Sequence, residues 1–337
     1  MKRDSRISLI RMLCTSMVVT LHITQQYEAV FPRILYVTEW LNLGLVMFFC
    51  VSAYLYSKRE ITEVPKWYMH RYIDIAVPSL LVGGCTLAVF AFKGKLTSNQ
   101  ILSTLLSCAG LEIYAPYPWM FVQLWFLTYI LFFYLSVPLI QKIDCKKSGD
   151  LQFWAVFAGI LVAVQAVSLV FERITGLELL STGILLRLYL PYFLFRRYDI
   201  DGKKIKPAIF VITVLSVLMI IATCIVRYFC VSLLPAGLVE LFFIYTQSIA
   251  GTALFYWLYL AIQKLKGYPW ILKISDMLSY EVYLTHCLFI GYATSLIKRF
   301  HYRWYGVVLA LVMTLISSIA LHYAAMPVKR LLNGRKK

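Results

Sequence analysis

The chain has 337 residues, is 61% hydrophobic and carries a formal net charge of +17, with a mean hydropathy of +0.75. Apolar runs of about 20 residues recur from end to end, which excludes an ordinary water-soluble globular domain. The positive charge would suggest nucleic acid in a soluble protein; here the basic residues fall between apolar runs, where they orient spans, and no soluble basic domain exists to bind nucleic acid.

Lipid offers no partner for a backbone N–H or C=O, so each crossing segment must satisfy its own polar groups as a helix. The fold class is therefore all-α: a polytopic membrane protein with ten predicted spans, at 7–27, 38–57, 74–92, 119–140, 151–171, 181–195, 206–226, 238–262, 274–297 and 304–326. Residues 1–337 read as one membrane domain with a soluble tail only at about 328–337. The first run lacks a small-residue cleavage site and reads as a retained span. With both termini cytoplasmic, 23 basic residues fall on the inner side and 8 on the outer, which favours N-in, C-in. Eight scattered cysteines, at 14, 50, 85, 108, 145, 224, 230 and 287, contain no CxxC pair. They read as small buried hydrophobes, so neither a disulfide framework nor a metal site is expected.

In the first span, Arg11 and His22 stand eleven residues apart with no ionisable residue between them. Eleven steps of 100° come to about 20° past three turns, so both side chains share one stripe, about 16 Å apart along the axis. Ionisable groups within a span are costly and face protein or water. His22 is expected to be neutral there and able to accept a proton, as a general base would; a histidine bonded to a neighbouring helix is the plain alternative. Arg11 is either an anion clamp or an arginine snorkelling to headgroups. Span two contains Ser52 and Ala53, small residues that permit close helix approach and read as packing more than as a nucleophile. The inner loop from Lys58 to Asp74, holding Arg59, Lys66, His70 and Arg71, has the charge to grip the phosphates of a cytoplasmic nucleotide-type cofactor, or simply to set orientation.

The outer loop from Lys93 to Pro118 is expected to carry a surface helix starting at Thr97 or Ser98. Span four opens Gln123-Leu124-Trp125-Phe126-Leu127; its aromatic stripe reads as packing, with Gln123 placed to orient an acceptor hydroxyl. Arg187, in span six, needs a counter-charge, for which Glu39, Glu178 and Glu240 are candidates. Ser279, Tyr283 and His286 recur at helical spacing on one polar face of span nine, as a wet cavity or a buried network. No HExxH spacing and no Gly-rich phosphate loop appears, so neither a metal nor a Walker-type site is expected. No internal repeat supports an inverted-repeat transporter.

Taken together, these elements resemble the acyltransferase-3 family of integral membrane acyltransferases. Arg11 followed by ten residues and His22 is similar to that family's opening signature. Phe48-Phe49-Cys50-Val51-Ser52-Ala53-Tyr54-Leu55 is similar to its FF-x-x-S-G-Y-L element. Arg71 seven residues before Pro78, Gln123-Leu124-Trp125-Phe126-Leu127, and Ser279 through Tyr283-Leu284-Thr285-His286 resemble three further elements in the same order. Ala53 stands where the family usually has glycine, Ser8 where an aspartate is common, and Asp74 where some members carry a second basic residue.

The resemblance implies a ten-helix enzyme of the bacterial plasma membrane. It would take an acetyl or other short acyl group from cytoplasmic acyl-CoA and pass it to a hydroxyl of a cell-surface glycan or its lipid-linked precursor. His22 would be catalytic; Arg11, Arg59, Lys66 and Arg71 would contact the CoA; Ser52, Gln123, Trp125, Tyr283 and His286 would line the acceptor cavity. A polysaccharide exporter or flippase without acyl transfer is the alternative.

Overall fold

The computed structural model describes residues 4–31, 34–115, 124–176, 181–202, 204–229, 235–262, 269–291 and 295–334. Gln123, Glu178 and the Tyr117–Trp119 aromatics lie outside these residues. Among the described residues every element is helical: α1 (Ser5–Gln26), α2 (Ile34–Thr38), α3 (Leu43–Ser57), α4 (Val64–Phe92), α5 (Ser98–Cys108), α6 (Trp125–Ile140), α7 (Asp150–Thr175), α8 (Thr182–Arg197), α9 (Ile205–Phe229), α10 (Ala236–Ala261), α11 (Trp270–Ile290), α12 (Leu296–Arg299) and α13 (Trp304–Leu332). Single 3-10 turns occupy Glu39–Asn42 and Glu112–Tyr114.

Each predicted span overlaps a helix among the described residues. Among the described residues, seven helical segments, namely α1, Glu39–Ser57, α4, α7, Ile205–Arg227, Gly237–Ala261 and α13, are long and apolar enough to cross a bilayer. The protein is a multi-pass helical membrane protein. Some hydroxyls inside the spans are satisfied within their own helix: Thr15 donates to the Arg11 carbonyl at 3.0 Å and Ser16 to that of Met12 at 3.0 Å. Such back-bonding lets polar residues sit in an apolar helix without an orphaned donor.

Several boundaries differ from the sequence reading; the last helix, for one, runs to Leu332 rather than 326, into the predicted soluble tail. Helix α4 begins at Val64, not at 74, so Lys66, His70, Arg71 and Asp74 are helical rather than loop. Pro65 falls in its first turn, where the missing N–H costs nothing, and Pro78 lies inside it, as membrane helices tolerate. Span nine ends at Ile290 rather than 297, because Gly291 turns the backbone to an extended conformation. The surface helix of the outer loop forms as expected: Thr97 accepts from the Gln100 N–H while the Gln100 side chain accepts from the Thr97 N–H, a reciprocal cap.

The chain forms two compact units. The first comprises Met1–Met17, Trp40–Glu60 and Leu139–Tyr268. Its core joins Ile7, Ile10 and Cys14 of α1 to Val46, Cys50 and Tyr54 of α3, Leu194 of α8 and Phe255 and Tyr259 of α10. The Tyr54 and Tyr259 hydroxyls meet at 3.1 Å. At one end, Lys58 pairs with Asp199 at 3.1 Å and Asp201 at 3.5 Å. Partial burial works against the Lys58 charge, but the Asp199 hydrogen bond and its neighbours outweigh it and raise the ammonium pKa. Lys58 is thereby committed to this unit. A cavity of about 1040 Å³, walled by Trp154, Leu194, Arg197, Tyr198 and Lys204 among others, also belongs to this unit and contains none of the site residues named above.

The second unit comprises Val18–Glu39, Ile61–Pro138 and Pro269–Lys337. Helix α13 presents Ala310, Thr314, Ser318, Leu321 and Ala325 as a buried stripe. Thr285 of α11 bonds Ser318 at 2.8 Å along it, and Glu281 of α11 meets His322 at 3.1 Å. The turn between α12 and α13 places His301 and Tyr302 at φ of 50° and 61°, and the Tyr27 hydroxyl donates to the Tyr302 carbonyl at 3.1 Å.

Close approach of α3 and α10 in the first unit depends on Gly251. A Cβ there would lie 2.4 Å from Val46 Cγ1. Gly251→Ala is expected to destabilise the protein by about 1–3 kcal/mol through overpacking, read as a lower melting temperature in detergent. Combining it with Val46→Ala should recover part of that loss.

Candidate active site

The second unit brings His22 and His286 together from α1 and α11. Their ring centroids are 5.1 Å apart, tilted by 40°. Helix α1 carries His22 near its end, where its ring is only partly buried. One turn on, Gln25 places its Oε1 2.7 Å from His22 Nδ1. His286 is fully buried. Its Nδ1 lies 2.8 Å from the Tyr283 carbonyl and 3.1 Å from that of Val282.

Carbonyl oxygens only accept, so each Nδ1 carries its proton and each Nε2 is left unprotonated. Two imidazoles are thus held in the same tautomer; the His22 Nε2 lone pair is available to a proton, a hydroxyl or a metal ion, while that of His286 accepts from the Cys287 thiol. The Cys287 sulfur is 3.2 Å from His286 Nε2.

Aromatic rings wall the pair. Tyr283 stands 6.0 Å from His286, Phe126 of α6 is 5.3 Å from Tyr283, and Tyr280 stacks on Tyr283 at 6.3 Å. The Tyr280 hydroxyl is fixed at 2.8 Å from Ser79 Oγ and donates to the Ile75 carbonyl at 2.9 Å. Trp125 precedes Phe126 and packs edge-on against Tyr129 at 5.8 Å.

The remaining predicted residues are placed as follows. Arg11 shares α1 with His22, and the helix is continuous between them, so the common stripe exists. Arg11, Ser52 and Arg59 belong to the first unit; Ser52 is buried on α3 and Arg59 is exposed. In the second unit, Arg71 lies 3.9 Å from Asp74, and Lys66 pairs with Glu63 at 2.9 Å on the surface. Exposed pairs of this kind are worth little and are easily exchanged for another anion. Arg187, in the first unit, donates to the Gln247 side chain at 3.0 Å. An amide therefore meets the guanidinium, a partner outside the carboxylates considered from sequence.

Sequence reasoning missed Gln25, Cys287 and Glu112. Gln25 could have been found as the i+3 neighbour of His22. Cys287 was discounted with the other apolar-run cysteines. Glu112 is only 4% exposed, although it sits in the outer loop. Gly110, at φ of 80°, ends the turn after α5 and swings the chain so that Glu112 points inward. Its carboxylate makes no hydrogen bond among the described residues, and it acts electrostatically on Tyr283. Burial pushes the Glu112 pKa up to about 7.

The acyltransferase-domain family matches the chain over residues 4–323, across both units. No curated protein and no solved structure matches it.

The raised Glu112 pKa has a definite sign. The folded state binds this proton more tightly than the unfolded chain, so the group favours folding in acid and that contribution is lost as pH rises from the ordinary carboxylate range through about 7. Wild-type melting temperature is expected to fall between about pH 5 and pH 8, by an amount equivalent to about 1–3 kcal/mol. Glu112→Gln, neutral throughout, should remove that part of the slope.

Proposed function

The chain belongs to the acyltransferase-3 family, and from that premise we propose that it transfers an acetyl or other short acyl group from cytoplasmic acyl-CoA to a hydroxyl of a cell-surface glycan or its lipid-linked precursor, in the bacterial plasma membrane. His22 is the general base. The acceptor hydroxyl gives its proton to His22 Nε2 as its oxygen attacks the thioester carbonyl. The tetrahedral adduct collapses with cleavage of the carbon–sulfur bond, and the imidazolium returns the proton to the departing CoA thiolate. Holding the hydroxyl beside the base makes the step effectively unimolecular.

The single observation that carries this reading is the tethered imidazole. Gln25 holds Nδ1 of His22 at 2.7 Å, so its Nε2 is oriented and unprotonated, on a ring that is not fully buried. His286, fully buried beside it, accepts from the Cys287 thiol and packs against the His22 ring, which helps to fix the base in place. Tyr283 and Trp125 supply aromatic surface of the kind on which sugar rings stack.

The donor side rests on charge. CoA is anionic and cytoplasmic, and the inner side under the N-in, C-in reading carries 23 of the basic residues. Arg71, with Lys66 on the same helix of the second unit, supplies the cations assigned to CoA. Arginine presents a planar fork suited to phosphate. An exporter needs only a lined path; an oriented imidazole with an unprotonated Nε2 serves proton transfer.

His22→Ala is expected to leave the protein folded and inserted but to lower transfer of label from acetyl-CoA by at least about 100-fold. Surface-polysaccharide NMR should lose its O-acetyl signals; acetylation retained in this variant overturns the assignment. Arg71→Ala is expected to raise the apparent KM for acyl-CoA about tenfold, with a smaller change in kcat. An unchanged KM removes Arg71 from the donor site.

A further inference from the structure

Among the described residues, one group of three side chains has donors placed for a metal ion: His22, His286 and Cys287, whose donor atoms all lie within 4.8 Å of one another. From this we propose that the three form a zinc site, and that bound zinc shuts the acyltransferase off by occupying the lone pair His22 needs as a base. The inhibitory half rests on the proposed role of His22; the binding half stands on geometry alone.

Donors around a tetrahedral zinc sit about 2.0–2.3 Å from the ion and so about 3.3–3.8 Å from one another. His286 Nε2 and the Cys287 sulfur are already 3.2 Å apart. Closing the third corner asks His22 to move by about 1 Å on this scale, which a partly exposed side chain near a helix end can do by rotation about its χ angles.

The outer shell is also in place. Ligating histidines almost always donate their other N–H to a carboxylate, carbonyl or water, which fixes ring orientation. His22 gives Nδ1–H to Gln25, and His286 gives it to the carbonyls of Val282 and Tyr283. Two nitrogens and a thiolate suit zinc and other borderline-soft ions, and disfavour magnesium or calcium.

Binding balances simply. Two Zn–N bonds form from neutral lone pairs with no proton lost. One Zn–S bond forms as the Cys287 thiol releases its proton to solvent. The fourth position is left to water. No lone pair then remains on His22 Nε2, so an acceptor hydroxyl has nothing to take its proton.

The test uses the full-length protein in detergent, with zinc competed against a chromophoric chelator and cobalt(II) as a spectroscopic substitute. Wild type is expected to bind one zinc per chain and, with cobalt, to show a thiolate-to-metal charge-transfer band. Cys287→Ser should lose that band, weaken zinc binding at least about tenfold, keep wild-type acyl transfer in chelator, and resist zinc inhibition to the same degree. His286→Gln, which retains a polar side chain of similar reach, should also weaken binding.

Zinc affinity unchanged in both variants overturns the site. Zinc binding without inhibition, or transfer stimulated by zinc, overturns the inhibitory role. If wild type binds zinc while His22→Ala keeps full acyl transfer, the base assignment fails and the metal site stands. If His22→Ala abolishes transfer while wild type binds no zinc, the base assignment stands and the metal site fails.

Discussion

The chemistry proposed for this protein depends on how two imidazoles are tethered. A histidine in an apolar setting has two tautomers and a freely turning ring; only a hydrogen bond to one nitrogen decides what the other nitrogen can do. Gln25 makes that decision for His22, and the backbone of α11 makes it for His286. The second is cheap, because a histidine can reach back to carbonyls three and four residues earlier in its own helix. It also occupies acceptors already engaged in the helix ladder, so no further element is needed to orient the ring.

The packing around the pair follows from the membrane. Between helices in lipid there is no hydrophobic drive, so association relies on close contact and on hydrogen bonds. The second unit shows both. The small residues of α13 let α11 approach, and Thr285–Ser318 and Glu281–His322 bridge the two helices. The Tyr280 hydroxyl ties α11 to α4 through Ser79 and the Ile75 carbonyl, while the Cys108 thiol ties α5 to the Ser79 carbonyl at 3.2 Å. Helix α11 is thus fixed on two sides, and the rigidity of His286 is a property of these polar bridges more than of the imidazole itself.

Much of this was legible in the sequence, for identifiable reasons. The spans follow from apolar run lengths, and the Thr97 cap from a reciprocal Thr–Gln pattern. The Arg11–His22 stripe follows from helical periodicity, which depends on nothing beyond α1. The early start of α4 was not legible, because Trp67 through Asp74 mixes aromatic and charged residues and carries no apolar run. A helix can extend beyond the hydrocarbon without one, and Pro65 in the first turn was the available signal. The end of span nine follows an extended backbone at Gly291 and the inward turn of Glu112 follows the left-handed turn at Gly110, local conformations that a sequence does not print. The trio of His22, His286 and Cys287 escaped because motif spacing detects ligands on one helix. These come from two, and a cysteine in an apolar run looks the same whether it packs or binds.

The choice of tether also bears on reactivity. Catalytic histidines are often oriented by a carboxylate, whose charge stabilises the imidazolium formed during reaction. Glu281 is the nearest carboxylate to His286 in sequence, but five helical steps place it about 140° around the helix, and it faces His322 instead. Gln25 and two backbone carbonyls do the orienting, and all are neutral. They fix the tautomer without bringing an anion into a low-dielectric region, where its desolvation is expensive. An imidazolium formed here is therefore less stabilised than in a carboxylate-backed dyad and returns its proton readily. That suits the proposed transfer, in which the base delivers the same proton to the departing thiolate within one turnover. It also leaves two neutral nitrogens beside a thiol, a combination with no charge of its own to repel a cation. The feature that favours fast proton return is then the same one that leaves the site open to zinc.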